Sequence, residues 1–334
     1  MDVVALTRAL VDIESVTGNE AEVGRYLSAR LAPLAQRFGG AVEEILVEPN
    51  RFNVFACWGE LVVTLSTHLD TVPPFFASRE DDEHVWGRGA CDVKGIISAM
   101  VLAVEKLLAG GSRNIALLFV VGEERNSAGA FHMAKHPRGS RFLINGEPTE
   151  NKLALGSKGA LRYEIAARGK MAHSAYPELG ESAIDKLLDA LEKIRAIPLP
   201  RDHVLGPGTL NIGTIRGGRA PNVVADEAQA EIMFRLVSDA GPLQQAVSEA
   251  VRGLAEARQI LCVPAVSLGA LDGFETTVVS YTTDIPAFGG AWGKPYLLGP
   301  GTIHVAHTSE ERVSKRQLFE AVEIYQRIVR QLLT

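Results

Sequence analysis

Two patterns of hydrophobic residues, one with helical and one with strand spacing, predict the helices and strands in the first part of the chain. Between residues 19 and 38, Leu27, Leu31 and Leu34 fall on one helical stripe, and Gly39-Gly40 marks the helix end. The apolar segment 95–109 predicts a second helix that a further glycine pair closes. Short β-rich runs at 52–57, 61–66, 115–121 and 141–145 predict strands, and 115–121 is continuously apolar, as buried parallel strands are. This alternation indicates a sheet with helices on its faces.

The pattern changes near residue 158, where a different order of elements begins. Predicted in turn are a strand (160–168), a helix (181–197), two strands (209–216 and 226–237), a helix (242–259) and a strand (261–268). This βαββαβ order is typical of a ferredoxin-like domain. In the strand 226–237, Ile232, Phe234 and Leu236 share one face, which predicts a sheet with one solvated side.

After residue 271 the chain returns to its first kind of organisation. This last part is rich in glycine and proline, and it ends in a predicted helix at 315–333. Because a single helix cannot form a domain, we expect the tail to complete the first domain. The prediction is an α/β fold in which residues 1–157 and 271–334 form one domain, interrupted by an inserted domain at 158–270.

Composition narrows the classes of protein that fit. The 334 residues are 46% hydrophobic and 22% charged, which excludes a disordered or fibrous chain. The formal net charge is −6 and no basic run stands out, so we expect no nucleic-acid partner. No apolar run reaches the roughly 18 residues of a membrane span, and the N-terminus lacks signal-peptide features, so we expect no membrane association. Three separated cysteines favour a reducing, cytoplasmic location.

Five segments place histidines and acidic residues at predicted strand ends or at the start of the helix 95–109. They supply, in chain order, His68 and Asp70, Asp92 in a Gly-rich turn, Glu123-Glu124, Glu147, and a last segment with His304 and His307. In an open α/β sheet the ligand site lies at the carboxyl ends of the strands. We therefore expect these side chains to meet in one crevice.

So many carboxylates in one crevice would repel one another unless cations lie between them. A mixed histidine and carboxylate set suits zinc or a similar divalent ion, and the set exceeds the four ligands of one tetrahedral zinc. The sequence therefore favours a two-metal site. Glu123 and Glu124 are adjacent, so on extended chain they point to opposite sides; one could bind metal while the other takes a proton from water.

The order of these motifs resembles that of a known family. His-x-Asp at 68–70, Gly-x-Gly-x-x-Asp-x-Lys-Gly at 87–95, Gly-Glu-Glu at 122–124, Glu-Pro-Thr at 147–149 and Ala-His at 306–307 look like the acetylornithine deacetylase / succinyl-diaminopimelate desuccinylase family of co-catalytic zinc amidohydrolases. The resemblance covers nearly the whole chain. It implies a zinc-peptidase-like catalytic domain with an inserted ferredoxin-like lid and dimerisation domain, and therefore a homodimer.

The resemblance also implies how the ligands divide between two divalent metal ions, with zinc expected and cobalt possible. His68 and Glu147 would bind the first metal, and Glu124 and His307 the second. Asp92 would bridge both metals. These five assignments are what the family pattern implies for the matching positions of this chain.

Further roles follow from the same resemblance. Glu123 would be the general base, and Asp70 would orient the first histidine ligand. In relatives, a lid histidine stabilises the oxyanion, often from the partner subunit, and a lid arginine contacts the substrate carboxylate; His173 and Arg235 resemble these residues. Asn222 is a weaker candidate for the same pocket.

The last motif leaves one alternative between two histidines. His307 follows an alanine and precedes Glu311 by four residues, as the family ligand does. His304 lacks this context, so His307 is the predicted ligand and His304 is the alternative.

The resemblance implies hydrolysis of the amide bond of an N-acyl amino acid. The segment 172–180 and the Gly-Pro-Gly stretch at 299–301 favour N-acetylornithine deacetylation, a step of arginine biosynthesis. Acetyl-lysine, acetylcitrulline, succinyl-diaminopimelate and dipeptides or carboxypeptidase substrates are the alternatives. A non-catalytic, metal-dependent binding protein is the alternative from another class.

Overall fold

The computed structural model describes all residues from 1 to 334, and they divide into two compact units. Unit 1 comprises Met1–Leu155, Leu268–Thr277 and Thr283–Thr334. Unit 2 comprises Gly156–Ser267 and Val278–Thr282. The segment Val278–Thr282 was predicted to belong with the tail; the structure groups it with unit 2, where Lys158 N donates to Val279 O at 3.1 Å.

Unit 1 is built from one large sheet, a smaller sheet and the helices that cover them. Its helices are α1 (Val3–Val11), α2 (Ala21–Phe38), α3 (Gly95–Ala109), α4 (Ala128–Ala134), α7 (Ile285–Phe288) and α8 (Lys315–Leu333). Its strands are β1 (Ala41–Glu48), β2 (Arg51–Trp58), β3 (Val63–His68), β4 (Arg79–Glu80), β5 (His84–Trp86), β6 (Ile115–Val120), β7 (Phe142–Asn145), β17 (Lys294–Leu297) and β18 (Arg312–Ser314).

The large sheet has the strand order β1-β2-β6-β3-β7-β17. Neighbouring strands from β6 to β17 are parallel, whereas β1 and β2 pair antiparallel at one side. Every residue of β3 and β6 is buried, which explains the continuously apolar sequence of β6. The carboxyl ends of four strands therefore meet at one edge of this sheet.

Local sequence explains where the helices of unit 1 begin and end. Leu27, Leu31 and Leu34 of α2 are buried, and the helix ends at Gly39, whose φ of 70° suits glycine. Ser314 caps α8 by accepting a hydrogen bond from the amide of Gln317. The predicted bounds of α3 and α8 are confirmed.

Unit 2 contains a four-stranded antiparallel sheet with two helices. Its elements are β9 (Gly159–Arg168), α5 (Ala183–Arg195), β10 (Arg201–Asp202), β11 (Gly206–Pro207), β12 (Thr209–Gly217), β13 (Glu227–Leu236), α6 (Gly241–Ala250), β14 (Glu256–Val263) and β15 (Val266–Ser267). The strand order β12-β13-β9-β14 is that of the predicted ferredoxin-like βαββαβ arrangement. Along β13, Ile232, Phe234 and Leu236 are buried and their neighbours are half-buried, which confirms the predicted alternation.

Two further short strands, β8 (Leu153–Ser157) and β16 (Thr276–Val279), form a small sheet with β15. No helix of the chain combines the length and the apolar character needed to cross a membrane.

The predicted helix 242–259 is wrong in its second half. The helix α6 ends at Ala250, and β14 begins at Glu256 instead of at residue 261. Gly253 has a φ of 76°, which turns the chain, and residues 256–259 pair with β9. Hydrogen bonding to the sheet edge therefore outweighs the local helix preference of this segment.

Candidate metal centre

The four parallel strand ends at one edge of the large sheet bring predicted site residues together. In sheet order, Glu124 follows β6, His68 ends β3, Glu147 follows β7, and His307 lies on the loop after β17. Asp92 lies on the turn that leads into α3. Strand order thus brings four of these residues to one edge of the sheet, and the turn before α3 adds Asp92.

Asp92 lies between two imidazole rings. Its Oδ1 is 3.1 Å from Nε2 of His68, and its Oδ2 is 3.3 Å from Nε2 of His307. The same nitrogen of His307 is 3.0 Å from Oε1 of Glu124. Ligand atoms of His68, Asp92 and Glu124 lie within 4.8 Å of one another. A carboxylate with one oxygen toward each imidazole has the geometry that a bridging ligand requires.

Glu147 adds a buried carboxylate to this group. Only 4% of its surface is exposed, and its Oε1 has no hydrogen-bond partner. A buried carboxylate oxygen without a donor is costly unless a cation compensates it. Two imidazoles and three carboxylates are ligands that zinc and similar divalent ions accept, so the residues present fit such ions.

Asp70 organises the turn that carries Glu123 and Glu124. Its carboxylate accepts hydrogen bonds from the amides of Gly122, Glu123 and Glu124, at 3.0, 3.0 and 3.2 Å. It also accepts one from the Thr17 hydroxyl at 2.8 Å. Because one carboxylate gathers three consecutive amides, Glu123 and Glu124 lie in a turn; the expectation that they lie on extended chain is wrong.

His68 is fixed by the same aspartate. Its Nδ1 lies 2.9 Å from the backbone carbonyl of Asp70 and 3.5 Å from Oδ1 of the carboxylate. Both contacts hold the ring so that Nε2 faces Asp92. The structure thus places Asp70 where a residue that orients His68 would lie, and it adds the backbone carbonyl as a second contact.

Burial and neighbouring charges shift the pKa values of Glu123 and Asp92 in opposite directions. Burial raises the pKa of Glu123 well above its usual range, against the charge of His68, and Glu147 adds to the increase. Burial would also raise the pKa of Asp92, but hydrogen bonds to His307 and His68 hold it below its usual range. The ionised form of Asp92 is therefore stabilised, whereas burial stabilises the protonated form of Glu123, so the two acids differ in how readily they hold a proton.

One acid near the site was missed by the sequence analysis. Asp284 precedes α7, is buried, and has no hydrogen-bond partner of standard geometry for either carboxylate oxygen. Burial raises its pKa to about 7 although the Ser127 hydroxyl acts in the opposite direction. Its sequence context, an acid before Ile285-Pro286, indicates only a helix start, so no sequence signal marked it.

The three remaining predicted site residues lie in unit 2. His173 is exposed and its Nδ1 accepts a hydrogen bond from the amide of Ala175 at 3.1 Å. Asn222 is next to it, since the Ser174 amide donates to the Asn222 carbonyl at 3.0 Å. Arg235 lies on β13, is half-buried, and forms no salt bridge. Burial lowers the pKa of Arg235, and no carboxylate offsets the effect.

The affinity of this centre for divalent metal is expected to rise with pH. Hydrogen bonds to Asp92 and Glu124 raise the pKa of His307 to about 10 in the metal-free protein, so this ring carries a proton through the neutral range. A cation that binds Nε2 must displace that proton, which becomes easier as the pH rises toward the pKa. We expect affinity for Zn²⁺ to increase about tenfold per pH unit for each displaced proton between about pH 6 and pH 9.

Chelator competition at several pH values measures this dependence, and proton release in weakly buffered solution counts the protons. A flat affinity profile would show that His307 is not a ligand or carries no proton.

Comparison with known proteins gives a consistent family match. The model of peptidase family M20/M25/M40 matches residues 64–331. A Schizosaccharomyces pombe protein described as peptidase M20 domain-containing is 38% identical over 340 residues, covering 98% of this chain and 84% of the relative. A probable carboxypeptidase of Aspergillus fumigatus is 37% identical over 378 residues, covering 98% of this chain and 86% of the relative.

Solved structures with low sequence identity share the fold. The aminopeptidase PepT from Bacillus cereus superposes with a TM-score of 0.82 at 20% identity, covering 99% of this chain and 98% of that one. The metallo-carboxypeptidase Sso-CP2 from Sulfolobus solfataricus has a TM-score of 0.79 at 15% identity, with 98% of each chain covered. The predicted α/β fold class is confirmed by these matches.

Proposed function

The chain belongs to peptidase family M20/M25/M40, and we propose that it hydrolyses the amide bond of an N-acyl amino acid with two divalent metal ions. The metal-dependent hydrolase class is supported by the family. The observation that carries the proposal is Asp92, whose two carboxylate oxygens each face one imidazole, His68 or His307. This arrangement provides two adjacent ligand sets joined by one carboxylate.

The proposed ligand sets are those that the family resemblance implies, and His68 and His307 of the two sets face different oxygens of Asp92. His68 and Glu147 would hold one ion, and Glu124 and His307 the other. When bound, such ions lower the pKa of water and polarise a carbonyl oxygen. Zinc is the proposed metal and cobalt the alternative, since both accept nitrogen and oxygen ligands.

The proton transfers are assigned to Glu123. Its side chain takes a proton from the water whose oxygen attacks the amide carbon, and it returns the proton to the amine nitrogen as the C–N bond breaks. Burial raises the pKa of Glu123, so its side chain holds the proton between the two transfers more readily than an exposed carboxylate would. His173 is proposed to stabilise the oxygen that gains charge during the attack.

Arg235 favours substrates that carry a free carboxylate. It is half-buried and lacks a protein carboxylate partner, so a substrate carboxylate would compensate its charge. Both an N-acyl amino acid and the C-terminal residue of a peptide have this group beside the scissile amide. N-acetylornithine is the substrate proposed from the motif resemblance, and the carboxypeptidase names of the fungal relatives make a C-terminal peptide bond the second candidate.

A screen for released amine, with zinc or cobalt added, tests these candidates. It should include N-acetyl and N-succinyl amino acids, dipeptides and N-blocked peptides, each beside its carboxyl-amidated form. We expect amidation to lower kcat/KM by about 100-fold or more, since the guanidinium of Arg235 would lose its charged partner. The Arg235→Gln variant should no longer distinguish acid from amide, whereas the exposed Arg216→Gln control should still do so.

Release of amine from none of these compounds, by a protein that binds metal, would favour the non-catalytic binding alternative. The homodimer remains a prediction from the resemblance. Exposed apolar side chains on unit 2, such as Ile184, Leu188 and Ile215, are compatible with a subunit interface, and sedimentation analysis would test it.

A further inference from the structure

A fully buried carboxylate lies behind the turn that carries Asp92. Glu311 has no exposed surface, and its Oε1 accepts hydrogen bonds from the amides of Gly89, Cys91 and Asp92 at 2.9, 3.3 and 3.1 Å. Its Oε2 accepts one from Nη1 of Arg88 at 2.5 Å. A single side chain thus satisfies three backbone donors of this turn.

Arg88, the partner of Glu311, is also buried and makes further contacts. Only 2% of Arg88 is exposed, its Nε donates to the carbonyl of Pro74 at 3.2 Å, and its guanidinium lies 5.0 Å from the centre of the Phe76 ring. The backbone carbonyl of Glu311 also accepts a hydrogen bond from the amide of Gly87 at 3.1 Å. Both the carboxylate and the backbone of Glu311 are therefore held by hydrogen bonds to residues 87–92.

The same construction occurs at the other turn of the site. The Asp70 carboxylate accepts hydrogen bonds from the amides of Glu123 and Glu124, and the Glu311 carboxylate accepts them in the same way from the turn that carries Asp92. The acceptor for the amides of each turn is thus a side chain from outside that turn. In both cases the carboxylate comes from a different part of the sequence, so it ties the turn to another element.

Glu311 also links two ligand-bearing segments. It lies four residues after His307, on the segment that leads into β18, and its contacts reach the turn of Asp92. Asp92 and His307 are the pair whose side chains meet at 3.3 Å. The position of one relative to the other therefore depends on the contacts of Glu311.

We propose that Glu311 is a positioning residue that fixes the turn Gly89–Asp92, so that Asp92 presents one oxygen to His68 and the other to His307. The proposal rests on the proposed function, since it presupposes that this site binds divalent metal. Residues that hold a ligand in place change metal affinity or activity by about 10- to 100-fold when they are replaced. A purely structural buried ion pair would change stability without changing the metal site.

The test compares cobalt binding by Glu311→Gln and by a control that removes a buried hydrogen bond elsewhere. Glutamine keeps the shape of glutamate, but it loses the charge that attracts the amides and Arg88. In the control, Thr64→Val, a donor at the other end of β3 is removed, since the Thr64 hydroxyl donates to Ser140 Oγ at 2.9 Å. Metal-free protein is titrated with Co²⁺ alone, and the Kd, the visible spectrum and the Tm are recorded.

We expect Glu311→Gln to weaken cobalt binding by about 10- to 100-fold and to change the cobalt spectrum. Thr64→Val should lower the Tm and leave both the Kd and the spectrum as in the wild type. A Glu311→Gln protein with a lowered Tm but wild-type Kd and spectrum would overturn the proposal.

If Glu311→Gln does not fold, Glu311→Asp gives the same decision, because it keeps the charge and draws the carboxylate back by one methylene. A wild-type Kd and spectrum in Glu311→Asp would then overturn the proposal, and a weaker, spectrally altered site would support it. If the wild-type protein itself binds no cobalt, the proposed metal site is overturned; if the wild type binds cobalt and the Glu311 variant binds it equally well, only the role of Glu311 is overturned.

Discussion

Replacement of Glu123 by glutamine is expected to remove most turnover and to leave the metal content unchanged. Glutamine has nearly the same shape but cannot take a proton from water. A positioned general base contributes about 10²- to 10⁴-fold to such a reaction, so kcat should fall by that factor while KM changes little. Steady-state kinetics on the best substrate of the amine-release screen, with metal analysis of the same sample, measures both quantities.

The neighbouring residue provides the matched control for this experiment. Glu124 lies on the same turn and its Oε1 is 3.0 Å from Nε2 of His307, so Glu124→Gln should lose metal as well as activity. The two variants change adjacent residues, but Glu123→Gln should lose only turnover, whereas Glu124→Gln should lose metal and turnover. The assignment would be reversed if Glu124→Gln retained metal and Glu123→Gln lost it, and wild-type turnover in Glu123→Gln would exclude Glu123 as the base.

Sequence alone predicted the parts of this site that depend on strand order. A continuously apolar strand must be buried on both faces, so β6 and its parallel neighbours were recognisable, and the residues after their carboxyl ends had to converge. The helices α3 and α8 were also predicted: the apolar segment of α3 is closed by Gly110-Gly111, whereas the Ser314 cap of α8 is evident only from the structure.

Other features depend on contacts between distant segments, and the sequence pattern does not record them. The turn at Glu123 exists because Asp70, more than 50 residues earlier, gathers its amides. Asp284 lies near the site although it precedes a four-residue helix far along the chain. Glu311 was visible only as part of a spacing pattern, and its three amide contacts became evident only from the fold.

The replacement of His307 by alanine is the second change with a large expected effect. His307 Nε2 is 3.0 Å from Glu124 and 3.3 Å from Asp92, so its loss leaves the second proposed ion with carboxylates alone. Removal of a direct ligand should cost more than the roughly 10- to 100-fold loss that follows removal of an orienting residue. We therefore expect affinity for one ion to fall by more than about 100-fold, and turnover to fall with it.

His304 gives the comparison that decides between the two histidines of this segment. It lies three residues earlier on the same loop, is exposed, and has no hydrogen bond or ion pair with the acids of the site. His304→Ala should bind metal with wild-type affinity, because the His304 ring forms no ion pair with a carboxylate of the site. Isothermal titration of both metal-free variants with Zn²⁺ measures the difference. Since both variants remove one imidazole from the same loop, a general disturbance of the loop would weaken both equally, and only a ligand role for His307 predicts a loss confined to His307→Ala.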